Sequence, residues 1–140
     1  MKVSARNQLA GEIRELKPGA VNTEVVIGLE GGKQIVAMIT NASAEELGLA
    51  VGGRAYAIIK ATSVILHTDF MRTSARNDLC GEIVKCERGS VNTEVQLDLG
   101  DGETLATAVI TNESADEMGL EIGQRACAMI KASSVIIGVD

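Results

Sequence analysis

Val-Ser-Ala-Arg-Asn at residues 3–7 returns as Thr-Ser-Ala-Arg-Asn at residues 73–77. The blocks downstream of the first copy recur downstream of the second. Glu-Ile stands at 12–13 and 82–83, Val-Asn-Thr-Glu-Val at 21–25 and 91–95, Ile-Thr-Asn at 39–41 and 110–112, and Ile-Lys-Ala at 59–61 and 130–132. The chain is one module written twice. The offset is 70 from Ser4/Ser74 to Leu29/Leu99 and 71 from Ile39/Ile110 onward, so one residue has been added in between. The turn Glu30-Gly31-Gly32, against Gly100-Asp101-Gly102, is where an addition does least harm. Within a strand, a one-residue slip would send every side chain to the wrong face. The repeats define two tandem domains, 1–69 and 70–140.

Each copy reads as the same series of elements. Residues 7–16 alternate loosely and form a strand, with Gly11 at a bulge or close approach. Pro18-Gly19 is a turn. Residues 20–29, rich in Val, Ile and Thr, form a second strand, and 34–40 a third. Ser43, with Glu46 three residues on, has the pattern of a capping box and predicts a short helix that stops near Gly48. Ser114 and Glu117 repeat it. After Val51-Gly52-Gly53, residues 54–60 and 63–68 give two more strands. The prediction is a mainly β protein: two tandem OB-like five-stranded barrels, each with one short helix. Residues 69–73 leave little slack between the copies, so the two barrels should pack closely.

A module of about 70 residues has a marginal core and needs a prop, such as a disulfide, a metal or oligomerisation. The three cysteines, Cys80, Cys86 and Cys127, all lie in the second copy. A module that manages without cysteine once does not need it the second time, so they read as small buried or half-buried residues, and oligomerisation is the expected prop. There is no C-x-x-C for zinc or redox chemistry. The N-terminus carries no apolar signal-peptide core and no stretch is long enough to span a membrane. The expectation is a soluble, cytoplasmic protein with no membrane partner. A net charge of −6, with Tyr56 and Phe70 the only aromatics, argues against nucleic acid, which calls for a basic face and stacking platforms. No nucleophile–base pair and no phosphate-binding glycine loop occurs, so an enzyme is not expected.

The repeated polar residues fall at element ends, where binding groups collect on a rigid scaffold. Ser4, Arg6 and Asn7 enter the first strand; Thr40, Asn41 and Ser43 lead into the helix; Lys60 ends the fourth strand. Arg and Lys only donate hydrogen bonds, Ser and Thr can donate, and a helix start adds free N–H groups. No carboxylate recurs inside this set. Together they would suit a small oxyanion. Taken singly, Arg6 could pair with a carboxylate, Ser43 could only cap and Lys60 could be a solvated strand end, and the residues alone leave both readings open. Asn22 and Asn92, polar in apolar company, are candidates for a second type of site. His67 has no counterpart and reads as a surface residue.

Ser-Ala-Arg-Asn-Gln-Leu-Ala-Gly, then Val-Asn-Thr-Glu-Val, Ile-Thr-Asn-x-Ser and Ile-Lys-Ala-x-Ser, in that order and twice, resemble the molbindin (Mop) domain. The resemblance covers the whole chain. It implies an OB-like barrel that binds molybdate, and by size tungstate, between domains and subunits. Single-domain members assemble as hexamers, so two domains per chain imply a homotrimer. Carried over residue by residue, the ligands are Ser4, Ala5, Arg6, Thr40, Ser43, Lys60 and Ala61, then Ser74, Ala75, Arg76, Thr111, Ser114, Lys131 and Ala132. The alanines would act through backbone N–H groups, and no protein atom would ligate the metal directly. Asp78 in place of Gln8 puts a negative charge near Arg76, so the two sites are expected to differ. The chain has no room for a helix-turn-helix or an ATPase domain, which points to the stand-alone storage type. The rival reading is a regulatory or interaction module whose purpose is oligomerisation.

Overall fold

A computed structural model describes residues 2–69 and 71–140; Met1 and the linker residue Phe70 lie outside the described residues. The first repeat runs β1 (Asn7–Pro18), β2 (Asn22–Leu29), β3 (Gln34–Thr40), α1 (Asn41–Glu46), β4 (Arg54–Ile59) and β5 (Ile65–His67). The second runs β6 (Asn77–Arg88), β7 (Asn92–Asp98), β8 (Leu105–Thr111), α2 (Asn112–Met118), β9 (Arg125–Ile130) and β10 (Ile136–Gly138). A single 3-10 turn, Ala61–Ser63 or Ala132–Ser134, precedes each last strand. The expected elements are all present, and the protein is mainly β, with two curled five-stranded sheets of OB-like form and two short helices.

The sheets are not built repeat by repeat. Their strand orders are β10-β4-β1-β2-β3 and β5-β9-β6-β7-β8. Each repeat sends its last strand to the other repeat's sheet: Ile65–His67 pairs antiparallel with Cys127–Met129, and Ile136–Gly138 with Tyr56–Ile58. The repeats are units of sequence, and each sheet is assembled across both. One apolar cluster accordingly contains Ile13, Val25, Ile27 and Ile59 from the first copy with Ile83, Val95, Leu97 and Ile130 from the second. Burying an aliphatic side chain of this size contributes about 1.5–3 kcal/mol. A shared core of this kind gives two marginal modules what neither could build alone.

Local chemistry sets the details. The loop that absorbs the extra residue is closed by Leu29 N–H to Lys33 C=O in the first copy and Leu99 N–H to Thr104 C=O in the second, at 2.7 and 2.9 Å. In the first copy Gly31 and Gly32 take φ of 85° and 90°, which side chains resist. In the second, Asp101 closes the loop through the Thr104 N–H and hydroxyl and the Glu103 N–H. Those donors hold its carboxyl down at about 2. The bulge in β1 lies between Ile13 and Glu15, not at Gly11. Gly11 is a close approach instead: a Cβ there would collide with the Gly28 carbonyl, and at Gly81 with that of Asp98.

Two expectations need correction here. The helix caps are Thr40 and Thr111, one turn earlier than the serines. The Oγ1 of each accepts from the N–H of Ser43 or Ser114 at 3.0 and 3.1 Å. A threonine that ends a strand already has the extended backbone that an N-cap needs. The cysteines also differ from expectation. Cys80 and Cys127 face one another across β6 and β9 and form a disulfide; Cys86 alone is free.

Candidate functional site

Asn7 and Asn77, the last residues of the Ser-Ala-Arg-Asn motifs, are 2% exposed. The Asn77 amide accepts from Val36 N–H at 2.7 Å and donates to Val36 C=O at 2.8 Å. Asn7 does the same with Thr107, at 2.7 and 2.8 Å. Val36 and Thr107 lie on β3 and β8, the edge strands of their sheets. Each asparagine thus pairs an outward-facing residue of the other repeat's edge as a further strand would. The motif is anchored by its asparagine, and Ser-Ala-Arg is held just outside the barrel as a consequence.

The arginines also cross between repeats. Arg6 pairs with Glu94, and Arg76 with Glu24. These glutamates come from the two Val-Asn-Thr-Glu-Val motifs. Lys85 approaches Glu94 at 2.6 Å and Lys17 approaches Glu24 at 3.7 Å. A carboxylate therefore does meet each donor set. The sequence could not show it, because the glutamate belongs to the other copy. Each arginine remains half exposed, at 59% and 52%, with further N–H groups free to turn outward. Lys60 and Lys131 are exposed and join none of the ion pairs among the described residues.

The structure brings five of the second-copy candidates together. Ser74, Ala75, Arg76, Lys131 and Ala132 line a groove of about 500 Å³, whose apolar side is Met38, Ile65 and Met129. Lys131 precedes the turn at Ala132–Ser134, whose first N–H groups have no partner within the turn. Thr111 and Ser114 are not in this groove. They line a second one of about 420 Å³ with Asn92 and the other repeat's Thr62, Val64 and Ile65. Ile65, half exposed on the exchanged strand β5, belongs to both.

In the first copy, Ser4 and Arg6 are exposed before β1, Lys60 and Ala61 stand at the turn before β5, and Asn22 pairs in register with Thr40 near Ser43. Within one chain the donors thus fall into two groups per copy: the Ser-Ala-Arg segment with Lys-Ala, and the Asn with the helix cap. At the cap, the Thr40 hydroxyl donates to Ser43 Oγ at 2.8 Å, and that of Thr111 to Ser114 Oγ at 2.9 Å. The serine protons are left free to donate elsewhere.

His67 is buried, not on the surface. Its Nε2 lies 2.8 Å from an Asp78 carboxylate oxygen and its Nδ1 2.9 Å from the Asp69 carbonyl. Both neighbours accept, so the Asp78 hydrogen bond, then that to Asp69, raises the imidazole above its usual range. Asp78 is thereby engaged with His67, while the partner of Arg76 is Glu24.

Comparison with known proteins agrees with this geometry. The TOBE domain family matches residues 3–66 and again 73–137. The molybdenum transport protein ModE of Azotobacter vinelandii is 46% identical over 140 residues, which are 99% of this chain and 52% of ModE. The chain thus spans about half the length of that relative. A probable molybdenum-pterin-binding protein of Haemophilus influenzae is 46% identical over 70 residues, covering 50% of this chain and all of that protein. Among solved structures, the cytoplasmic molybdate-binding protein ModG, crystallised with molybdate bound, superposes with a TM-score of 0.95 at 48% identity, and 100% of each chain is covered. The chain belongs to the TOBE domain family, as a tandem pair of the molbindin (Mop) type.

Proposed function

We propose that this protein binds molybdate, and tungstate by the same chemistry, as a cytoplasmic store of the oxyanion. Its sites lie between domains and subunits of a homotrimer, and it has no nucleic-acid or membrane partner and no catalytic role. Its two domains, 1–69 and 70–140, are each completed by the last strand of the other. The observation that carries the reading is the groove that joins Ser74–Arg76 to Lys131–Ala132. It gathers two cations, a hydroxyl and free N–H groups, and one of its walls comes from the first repeat. Ser4, Ala5, Arg6, Lys60 and Ala61 form the equivalent set, and the Asn22/Thr40/Ser43 and Asn92/Thr111/Ser114 groups form the second type of site. The likeness to a molybdate-bound structure over the full chain supports the same reading.

Molybdate is a dianion without a proton at neutral pH. A site made of donors receives it without having to accept a ligand proton, whereas phosphate retains one. Sulfate has the same charge and is excluded only by size. Three or four charge-assisted hydrogen bonds, at about 1.5–3 kcal/mol each, reach the roughly −8 kcal/mol of micromolar binding after ordering costs.

The test is calorimetric titration with molybdate, sulfate and phosphate on ligand-free protein of known oligomeric mass. Arg76→Ala and Lys131→Ala are each expected to weaken molybdate binding roughly ten- to a hundredfold. Absence of molybdate heat from a folded oligomer would leave the rival reading, an oligomerising regulatory module. That rival is favoured by one observation: a relative such as ModE is about twice this length.

A further inference from the structure

The second sheet carries a side-chain cluster that the first lacks. Directly opposed residues of antiparallel strands point to one face. His67 on β5 is opposed to Cys127 on β9, and Cys127 to Cys80 on β6. Asp78 stands two residues before Cys80 and so shares its face. One side of three adjacent strands thus presents an imidazole, two sulfurs and a carboxylate. They line a cavity of about 390 Å³ with Met71 and the exposed Arg125 at its rim. A His67 ring nitrogen, an Asp78 carboxylate oxygen and Cys127 Sγ all lie within 4.8 Å of one another. By the repeat offset, the first sheet has Gly138, Tyr56, Ala10 and Gln8 at these four places, the glycine again from the exchanged strand. The fold itself therefore does not require the cluster.

We propose that reduction of the Cys80–Cys127 disulfide opens a site for a thiophilic divalent cation of the Zn²⁺ type, held by His67, Asp78, Cys127 and Cys80. In the opening step a dithiol reductant delivers two electrons and two protons. The S–S bond breaks, two thiols form on the protein, and the reductant becomes a disulfide. Cation binding then releases the thiol protons to solvent. The donor set, two sulfurs with one nitrogen and one oxygen, is one that tetrahedral zinc accepts. Tetrahedral ligands at about 2.0–2.3 Å from the ion stand roughly 3.3–3.8 Å apart. Spacings near the 4.8 Å limit would contract by about an ångström and the 2.8 Å His67–Asp78 pair would open by about half an ångström, both within reach of side-chain rotation. The Asp69 carbonyl at Nδ1 can only accept, which keeps the proton there and aims Nε2 at the site, as carbonyl partners do for zinc-bound histidines. Since β5 comes from the first repeat, a bound ion would tie the exchanged strand to the sheet that receives it.

The experiment uses the full chain with Cys86→Ser, so that the one free cysteine contributes no thiol. Disulfide-bonded and reduced protein, the latter with two titratable thiols, are each titrated with Zn²⁺ and with Co²⁺. Reduced protein should bind one ion per chain at micromolar dissociation constant or tighter. Its Co²⁺ form should show thiolate-to-metal charge transfer. Disulfide-bonded protein should bind at least a hundredfold more weakly. Asp78→Asn, at a partly exposed position, should cost at least tenfold. Cys80→Ser frees Cys127 without any reductant and should bind Co²⁺ through one thiolate, with or without reductant. Equal binding before and after reduction would overturn the proposal. So would no binding by reduced protein with an intact far-ultraviolet spectrum, or affinity unchanged in Asp78→Asn.

Discussion

Replacing Asn77 by alanine should destabilise the protein far more than the loss of one surface amide. The side chain is 2% exposed and serves two backbone groups of Val36, itself only 7% exposed. A weaker third bond reaches the Ile130 carbonyl at 3.2 Å. Alanine leaves the Val36 N–H and C=O without partners, at about 1–3 kcal/mol for each orphaned buried group. The expected loss is therefore about 2–6 kcal/mol, a large fraction of the 5–15 kcal/mol typical of a domain. Asn77→Asp should be no milder, because it keeps the acceptor toward Val36 N–H but sets a second acceptor against Val36 C=O. Asn92→Ala, exposed in the same repeat, should change little. The assay is urea unfolding followed by far-ultraviolet circular dichroism at fixed protein concentration, since oligomers unfold in a concentration-dependent way. There is no tryptophan to serve as a probe. If Asn77→Ala costs under about 0.5 kcal/mol, the amide is not what seals the edge of β3, and the argument fails.

Other residues give further expected outcomes. Gly81→Ala should destabilise by at least about 1–3 kcal/mol in the same assay, because its Cβ would strike the Asp98 carbonyl, which is backbone and cannot swing aside. In disulfide-bonded, metal-free protein, NMR titration of the single histidine should give a midpoint above 6.5, and Asp78→Asn should lower it. Asp78 and the Asp69 carbonyl set that shift, and Arg125 is the cation on the same cavity. Because the folded value is raised, the stability it confers is complete below the unfolded value of about 6.5 and fades as pH rises through the folded one. Asp101 behaves oppositely. Its depressed carboxyl favours the fold above the unfolded value near 3.8, a benefit lost as pH falls toward about 2, so Asp101→Asn should flatten the acid limb of stability between those values.

The duplication made the element order legible, because every block of the first copy could be checked against the second. The turn that absorbs the extra residue and the close approach of Gly11 could be read from residue type and backbone geometry. The exchange of β5 and β10 could not, since a short segment such as Ile65–His67 is apolar whichever sheet edge receives it. The same blindness hid every contact between repeats. Glu24 read as a strand residue until Arg76 arrived from the other copy, and Asn77 read as part of the donor set until Val36 did. Cys80 and Cys127 are 47 residues apart, and only the register of β6 against β9 sets them face to face. Of the candidate ligands, the sequence named the residues and the structure sorted them. Lys131 joins Ser74–Arg76 in one groove, while Thr111 and Ser114 sit with Asn92 in another.

The exchanged strands bear on how the chain comes to be folded during synthesis. The sheet begun by residues 7–40 is not finished until residues 136–138 emerge and dock on β4. Everything from β1 to β10 must leave the ribosome first. Until then β4 presents an open row of N–H and C=O groups, which the same last strand of a neighbouring nascent chain could occupy equally well. Deletion of Ile136–Gly138 should therefore harm the sheet built on the first repeat before that built on the second, the reverse of what a row of independent domains would show.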